Sequence, residues 1–483
     1  MTTQRRKTPL HQIGLLLLLS AILLVNGCSP PIQPTEDTPT RTLTATIEPT
    51  ETEVPTRTPT KNSALTPTAV PEIAIREEDL AGITVQFLHP WGGRADGVIE
   101  EIAKKFSLTN PWKIWVNAEA YGSESALAEN LASNLDDGNA PELITLHPAQ
   151  LVGIGDSLAP IDLSLYINDP QWGFDAEAVG DIPEIFLEQF TVEGSLSALP
   201  IAPQATVLFY NQTWAEELGY DGPPMTEGSF RRQTCDATFA NLADEREEND
   251  GLGGYIRNLD PGTLAGWYAA FGGSLPAFEP PNFNNDAGRD AFGFLKEVDL
   301  EGCIWVKRQP DPYLYFANRN AILYAGTLDQ IPVQMGWMDG AGSQDAWEII
   351  GFPGPDGSRV VIDGPGLMIT AESSEEQLAA WLFAQHLLSP EVQAELVQAL
   401  FTLPVRLSAL DDLDDFTEVY PQWEQGFDLL DSAQALPISA EWDYARWILQ
   451  DGITQLLNSE EGEVGEILGE VDAMIAEFDG AEP

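Results

Sequence analysis

The sequence predicts an α/β protein built from two lobes. At 483 residues the chain is too long for one ordinary hydrophobic core, so we expect two lobes of roughly 150 to 200 residues each. After residue 80, patterns typical of strands alternate with patterns typical of helices, and a strand, helix, strand order favours parallel pairing. Hydrophobic residues make up 43% of the chain, which is enough to fill both cores.

The first residues have the pattern of an export signal. Three basic residues at positions 5–7 precede an apolar run from Ile13 to Val25. A membrane-spanning helix needs about 20 apolar residues, so this shorter run predicts a cleaved signal peptide over residues 1–27. The sequence Val25-Asn26-Gly27-Cys28 resembles the lipobox of bacterial lipoproteins, which implies diacylation of Cys28 and attachment to the extracytoplasmic face of the cell membrane. The alternative is an ordinary secretory signal followed by a chance cysteine.

Residues 28–72 are dominated by threonine and proline, as in Thr56-Arg57-Thr58-Pro59-Thr60. Such a segment cannot bury enough apolar surface to offset the entropy lost on ordering, and its prolines favour an extended chain. We therefore expect a tether that holds the lobes away from the membrane.

The folded part begins with a strand-helix unit. Ile83, Val85 and Phe87 alternate as in a strand, and the next apolar residues recur at helical spacing. The predicted elements are a strand around residues 83–87, a helix containing Ile99, Ile102, Ala103 and Phe106, a strand over 113–120, a helix over 124–135 and a strand over 143–146.

Two later helices carry start signals. Ser373 followed by Glu376 forms a capping-box pattern, in which each side chain bonds the other residue's backbone N–H. Ser389 followed by Pro390 predicts a serine cap with proline at the first helical position.

Cysteines other than Cys28 are limited to Cys235 and Cys303, an even pair in an oxidising compartment, and we expect a disulfide between them. The competing interpretation is metal ligation. Zinc sites usually show closely spaced cysteines or clustered histidines, and the chain has 4 His, so we expect no metal and no cofactor.

The formal net charge of −53 excludes nucleic acid as a partner, because phosphates would be repelled. The acidity is typical of a soluble secreted surface, while capture of a cation or polyamine is the alternative. No GxSxG, HExxH or P-loop motif is present, so we expect no enzyme. A secreted glycosidase with two carboxylates is a weaker alternative.

Three separated segments resemble the family 1 extracellular solute-binding proteins, in the order that the family uses. The first segment contains residues 199–202, 208–211 and 223–226, and the second is residues 316–326. The third contains residues 364–366, 379–381, 389–391 and 403–406. The resemblance extends over roughly residues 81–478. It implies a two-lobed periplasmic-binding-protein-like fold with a ligand cleft between the lobes, lobe 1 taking 81–201 plus 366–406 and lobe 2 taking 203–364 plus 408–478.

Candidate ligand-binding residues come from two sources. A polar-solute cleft needs aromatic faces and a few hydrogen-bonding groups, and Trp91 and Tyr121 directly follow predicted strands. The resemblance adds residues by context: Trp442 matches a sugar-stacking tryptophan, Asp260 a sugar-binding carboxylate ahead of Gly272-Gly273, and Gln204 replaces a ligand-binding glutamate. Aromatic residues near the expected cleft loops are Trp267 and Trp337, and packing in a core is the alternative for every tryptophan named.

The resemblance implies the solute-binding component of an ABC importer, a monomer whose partners are a membrane permease and a small polar ligand. Gln, Asp and aromatic rings suit a sugar or oligosaccharide. Leu328, Leu146, Ala149 and Gln150 depart from the family's maltose-binding pattern, so maltose itself is not expected. A ligand-sensing or adhesive surface lipoprotein without a transporter remains the alternative function.

Overall fold

The computed structural model of the protein describes residues 73–134, 140–147, 150, 160–192, 194–277, 279–459 and 462–479. These residues belong to one compact unit, Thr68–Pro483. The predicted signal peptide, Cys28 and the tether lie outside the described residues. No helix within the described ranges is long and apolar enough to cross a membrane.

The strands are short and fall along most of the described chain. They are β1 (Thr84–His89), β2 (Trp115–Ala120), β3 (Leu143–Leu146), β4 (Thr191–Val192), β5 (Ser195–Leu196), β6 (Leu199–Pro200), β7 (Gln204–Asn211), β8 (Gly253–Ile256), β9 (Ile304–Trp305), β10 (Ala321–Thr327), β11 (Trp347–Ile350), β12 (Phe352–Gly354), β13 (Gly357–Asp363), β14 (Gly366–Ile369) and β15 (Ala433–Ala435).

The α-helices connect and cover these strands. They are α1 (Arg94–Thr109), α2 (Glu124–Asn134), α3 (Ser164–Ile167), α4 (Ala176–Gly180), α5 (Glu184–Gln189), α6 (Gln212–Glu217), α7 (Glu227–Ala243), α8 (Pro261–Ala270), α9 (Asp286–Leu300), α10 (Tyr313–Ala317), α11 (Ile331–Ala341), α12 (Ser374–Leu387), α13 (Pro390–Leu400), α14 (Asp414–Val419), α15 (Pro421–Asp428), α16 (Ala440–Asn458) and α17 (Val464–Asp479).

The first sheet has the strand order β2-β1-β3-β14-β6. β1 pairs in parallel with β2 and β3, whereas β14 pairs antiparallel with β3 and β6. Helix α12 packs on β1 and β14, and the ring of Phe383 meets the ring of Phe87 edge to face at 5.5 Å. This arrangement confirms the parallel strand-helix-strand start that the sequence predicts.

The second sheet has the strand order β12-β13-β7-β10-β8-β9, with β11 also paired to β7 and β15 to β13. Alternate residues of β7 enter different cores: Phe209 packs in the cluster shared with the first sheet, and Leu208 packs in a cluster around Trp267. Both faces of this sheet are therefore buried, and α7, α8 and α9 cover the Trp267 side. The two sheets give the two-lobed α/β fold.

The chain passes between the sheets from β6 to β7, from β13 to β14 and a third time between β14 and β15. The first two of these segments run side by side, because a side chain at Gly364 would place its Cβ 3.0 Å from the Cα of Pro203 and 3.1 Å from the carbonyl oxygen of Ala202. Glycine is the residue that permits this close approach.

Most of the predicted elements are confirmed with small shifts at their ends. The four apolar residues assigned to the first helix are all buried in α1, and β3 has the predicted bounds. The capping box is present at α12, where Ser373 and Glu376 bond each other's backbone N–H. The prediction for Ser389 is wrong in one respect: α13 begins at Pro390, but the Ser389 side chain makes no capping hydrogen bond.

Cys235 on α7 and Cys303 before β9 lie side by side, with Cα atoms 4.7 Å apart. Both residues are buried, and the pair lies between α7 and the end of α9, which finishes at Leu300. Glu301 lies beside the two sulfur atoms and pairs with Arg231.

Candidate functional site

A cavity of about 390 Å³ lies between the two sheets, next to the ends of their strands. Its volume is within the range of about 300 to 1,000 Å³ that is typical of small-molecule sites. Residues of the first-sheet segment line it at the start of α2 and after β3, and the second-sheet segment supplies the rest. The lining comprises Glu124, His147, Gln150, Gln204, Thr206, Asn258, Asp260, Gly262, Thr263, Gly326, Thr327, Gln330, Asp363, Gly364, Pro365, Leu436 and Arg446.

The carboxyl ends of β3, β8, β10 and β13 all lead into this cavity. The amino end of β7 joins them because β7 is antiparallel to β10 and β13. Its register places Gln204 opposite Asp363 and Thr206 opposite Thr327. Loops at the carboxyl ends of strands are where open α/β sheets bind ligands, so the topology explains the position of the cavity.

His147 and Asp363 form a close pair on the cavity wall. The Nε2 atom of His147 lies 3.1 Å from Oδ1 of Asp363, and the side chain of His147 is only 9% exposed. Burial alone would lower the pKa of His147, but the attraction of Asp363 and Glu124 outweighs it and raises that pKa. The backbone N–H of Gly364 also donates to Asp363, at 2.8 Å. This pair joins the end of β3 to the β13–β14 crossover.

Glu124 opens α2 and faces the same cavity. Burial raises the pKa of its carboxyl group, and the nearby charge of Asp363 adds to that effect, while His147 and Arg446 oppose it. Arg446 on α16 already pairs with Asp443 and stacks over the ring of Trp447, with 5.2 Å from its guanidinium carbon to the ring centroid. The guanidinium is thus held in place before any ligand enters.

Asp260 stands immediately before α8, and its side chain makes no capping bond to that helix. Its backbone N–H donates a hydrogen bond to the side-chain oxygen of Asn258 at 2.9 Å. At Gly262 an added Cβ would lie 2.8 Å from the hydroxyl oxygen of Thr206, so α8 packs directly on β7 here. The Asp260 carboxylate, which is exposed, is therefore available to a ligand in the cavity.

Several polar atoms around the cavity are buried without a hydrogen-bond partner in the described part of the chain: Nδ1 of His147, Oε1 of Gln150 and Oε1 of Gln204. A buried polar atom left unpaired costs about 1 to 3 kcal/mol. Together with the carboxylates and amides around them, these atoms are arranged to hydrogen-bond a polar solute. None of the described lining residues is Phe, Tyr or Trp.

Of the ligand-binding residues predicted from the sequence, the structure brings Gln204 and Asp260 together on the cavity wall. Trp91 and Tyr121 lie on adjacent loops, where the N–H of Tyr121 donates to the carbonyl of His89 at 3.0 Å, and neither lines the cavity. The hydroxyl of Tyr121 donates to Glu119 at 3.1 Å. Burial, with the carboxylate beside it, raises the pKa of Tyr121 to about 12.

The remaining predicted tryptophans are spread over lobe interiors and surface. Trp267 is fully buried and packs edge to face on Phe230 at 4.9 Å between ring centroids. Trp442 is 2% exposed, in the same core as Trp267. Trp337 lies on α11 with 42% of its surface exposed. None of the three lines the cavity.

Sequence reasoning missed the charged residues Glu124, His147, Asp363 and Arg446. Three of them had a usable signal, since Glu124 follows Tyr121 after a predicted strand, His147 directly follows another, and Asp363 precedes the Gly364-Pro365-Gly366 crossover. A search for aromatic faces passed over them because acidic residues are common, with 76 Asp and Glu in the chain. Arg446 had no such signal.

The sequence profile of the family described as "Bacterial extracellular solute-binding protein" matches residues 101–425. A comparison with curated protein sequences returned no match.

Many solved structures share the fold. A cyclic alpha-maltosyl-1,6-maltose binding protein from Arthrobacter globiformis matches with a TM-score of 0.68 and 16% identity, covering 81% of this chain and 98% of that one. The sugar-binding protein MalE from Xanthomonas citri matches with a TM-score of 0.66 and 18% identity, covering 83% and 100%. UgpB from Mycobacterium tuberculosis, solved with glycerophosphocholine, matches with a TM-score of 0.62 and 18% identity, covering 82% and 99%.

Proposed function

This chain belongs to the bacterial extracellular solute-binding proteins, and from that membership we propose that it captures a hydroxyl-rich solute, a sugar or oligosaccharide, and delivers it to an ABC importer. The family acts outside the cytoplasm and consists of binding proteins rather than enzymes. The observation that carries the proposal is the polar cavity between the two sheets, at the carboxyl ends of their strands.

The lining chemistry supports a hydroxylated ligand. Gln204, Gln150 and Asn258 offer amide groups that donate and accept, and Asp260 and Asp363 offer carboxylate acceptors. Each sugar hydroxyl both donates and accepts, so such a wall can pair many of them. The Arthrobacter and Xanthomonas proteins of the same fold are named for sugar ligands, which favours the same class for this chain.

Capture would proceed by hinge closure about the three crossover segments, with lobe 1 over residues 81–201 plus 366–406 and lobe 2 over 203–364 plus 408–478. The ligand favours the closed state by contacting both walls, and a permease would recognise that state. Gln204 and Asp260 are the proposed contacts inside the cavity. Ligand contact by the other predicted residues stays a prediction, because none of them lines the cavity in this conformation and only closure could bring them to the ligand. These residues are Trp91, Tyr121, Trp337, Trp442 and Trp267.

A sensing or adhesive surface protein with the same fold is the second candidate function, because a ligand cavity serves reception without transport equally well. Copurification with a permease in detergent distinguishes the two. An association that strengthens with ligand supports transport.

We also propose that Cys28 is lipidated and that Cys235 and Cys303 form a disulfide in the exported monomer. Intact mass spectrometry of the mature protein tests both points, since it reports the acyl mass on the first residue and the loss of two hydrogens for the bridge. An N-terminus elsewhere than Cys28, or two free thiols, contradicts the corresponding proposal.

The function is tested on the compact unit Thr68–Pro483 by its melting temperature against sugars, oligosaccharides, polyols, amino acids, polyamines and metal ions. A ligand at 100 times its dissociation constant adds about 2.7 kcal/mol to the folded state, so binding raises the transition visibly. A selective rise with a sugar supports the proposal. A panel without any rise contradicts it.

A further inference from the structure

We propose that the captured solute carries a protonated amino group on a hydroxylated skeleton, as in an amino sugar or aminocyclitol, with the ammonium bound by carboxylates of the cavity wall. This inference rests on the proposed function and specifies its ligand class. It follows from the charges, the hydrogen-bonding groups and the shape of the cavity.

The charges on the wall do not balance. Glu124, Asp260 and Asp363 face the cavity, against Arg446 and His147. The basic groups already have partners, because Arg446 pairs with Asp443 and His147 with Asp363. Glu124 accepts a hydrogen bond from the backbone N–H of His147 and lies near the charges of His147 and Arg446. The exposed carboxylate of Asp260, in contrast, has no ion pair among the described residues. A cationic ligand group would supply the missing charge.

Burial strengthens this requirement. Glu124 sits in a partly buried position where a carboxylate has lost much of its water, as its raised pKa reflects. A charge in such a place is stabilised by a paired charge of opposite sign. The net charge of −53 adds a field that draws cations towards the molecule and repels anions. This field disfavours an acidic solute.

The remaining wall requires hydroxyl groups as well as the ammonium. Thr206, Thr327, Gln204 and Gln330 line the cavity with groups that both donate and accept. His147, which is more than nine-tenths buried, keeps Nδ1 unpartnered at the same wall. A linear polyamine has no hydroxyl to pair with these atoms.

The lack of Phe, Tyr and Trp on the described wall separates this site from one built for neutral sugars. The faces of these rings cover the C–H surfaces of a sugar, and the described lining offers none of the three. The neighbouring residues 148, 149 and 151–159, which lie outside the described ranges, contain no Phe, Tyr or Trp in sequence. At this wall, affinity comes from charge and hydrogen bonds, which an ammonium group supplies most strongly.

Matched pairs of ligands test the inference by calorimetric titration of Thr68–Pro483 at pH 6.5: glucosamine against glucose, galactosamine against galactose, and kanamycin against maltotriose. N-acetylglucosamine serves as a neutral analogue, and spermidine as an amine without hydroxyls. We expect the amine of at least one pair to bind about tenfold or more tightly than its neutral partner, the effect of one hydrogen bond to a charged group.

The variant Asp260→Asn removes a cavity carboxylate while keeping a residue suited to the start of α8. The ratio of the two dissociation constants is expected to fall severalfold in this variant. Asp250→Asn is the matched control, because Asp250 is exposed, loses the same charge and does not line the cavity. It should keep the wild-type ratio.

Three results overturn the inference. If the neutral sugars bind as tightly as the amines or more tightly, the inference is wrong, but the proposed function is still supported. Binding of spermidine alone removes the need for hydroxyls. If no amine binds, the proposed ligand class is wrong. The proposed function is contradicted as well only if no oligosaccharide or polyol of the wider panel binds.

Discussion

His89 is the last residue of β1, and its ring is completely buried between two aromatic side chains. Its centroid lies 5.4 Å from that of Phe87 and 5.9 Å from that of Trp91. Burial lowers the pKa of His89 to about 4, although Asp96, with an oxygen 3.9 Å from Nε2, partly opposes the shift. The folded protein therefore holds this imidazole neutral.

This burial predicts a loss of stability in acid. Because the folded pKa lies below the unfolded value of 6.5, the contribution is complete above pH 6.5 and is lost as the pH falls towards 4. The variant His89→Phe keeps a ring in place but cannot take up a proton. The free energy of unfolding of both proteins is compared at pH 7 and at pH 4.5. The decrease between these pH values should be about 2 to 3 kcal/mol smaller for the variant than for the wild type.

Urea unfolding of both proteins across this pH range measures the difference. The other histidines are common to both chains, so their contributions cancel. Parallel pH profiles would show that His89 is not responsible for acid sensitivity.

At the scale of elements, α12 and α13 begin with the same type of residue but start differently. Ser373 accepts a hydrogen bond from the N–H of Glu376 at 3.2 Å, and its hydroxyl bonds the Glu376 carboxylate at 2.7 Å. At α13, Pro390 occupies the first position, where its missing N–H costs nothing, and Ser389 makes no side-chain cap.

The two serines thus form a matched pair for mutation. We expect Ser373→Ala to lower the free energy of unfolding by about 1 kcal/mol, since an orphan N–H at the start of α12 loses its partner. Ser389→Ala should change it by less than about 0.5 kcal/mol. Equilibrium urea unfolding compares them, and equal losses would contradict the assignment of the cap.

At the scale of the whole molecule, the first two crossovers touch through Gly364 and join sheets whose wall residues share one cavity. A ligand that contacts Glu124 or His147 on one side and Asp260 or Gln204 on the other links the two sheets directly. Closing the lobes would bury that ligand, and the differential affinity for the closed state drives the motion.

Hinge closure predicts a smaller radius of gyration with ligand. Solution scattering of Thr68–Pro483 should show this with the ligand that gives the largest melting shift, at saturation. A compound from the same panel without a melting shift is the control and should leave the profile unchanged. An unchanged profile with the saturating ligand would argue against closure.

Much of the fold follows from local pattern. The buried face of α1, the bounds of β3 and the capping box at α12 depend on residues close together in sequence, where periodicity and cap chemistry act directly. The resemblance of separated segments predicted the family, which the match over residues 101–425 confirms. It also predicted the two-lobed α/β fold, which the two sheets and the similar solved structures confirm.

What the sequence determined by itself, then, is the order and type of its elements, because these are set by the side chains of each segment. Tertiary structure alone decided which residues share the cavity: β7 runs antiparallel to β10 and β13, so Gln204 comes to lie opposite Asp363, far along the chain. It also decided that Trp267 and Trp442 lie in the core while Glu124 and His147 face the cleft. No local pattern carries that information, because burial and proximity depend on how distant strands are paired.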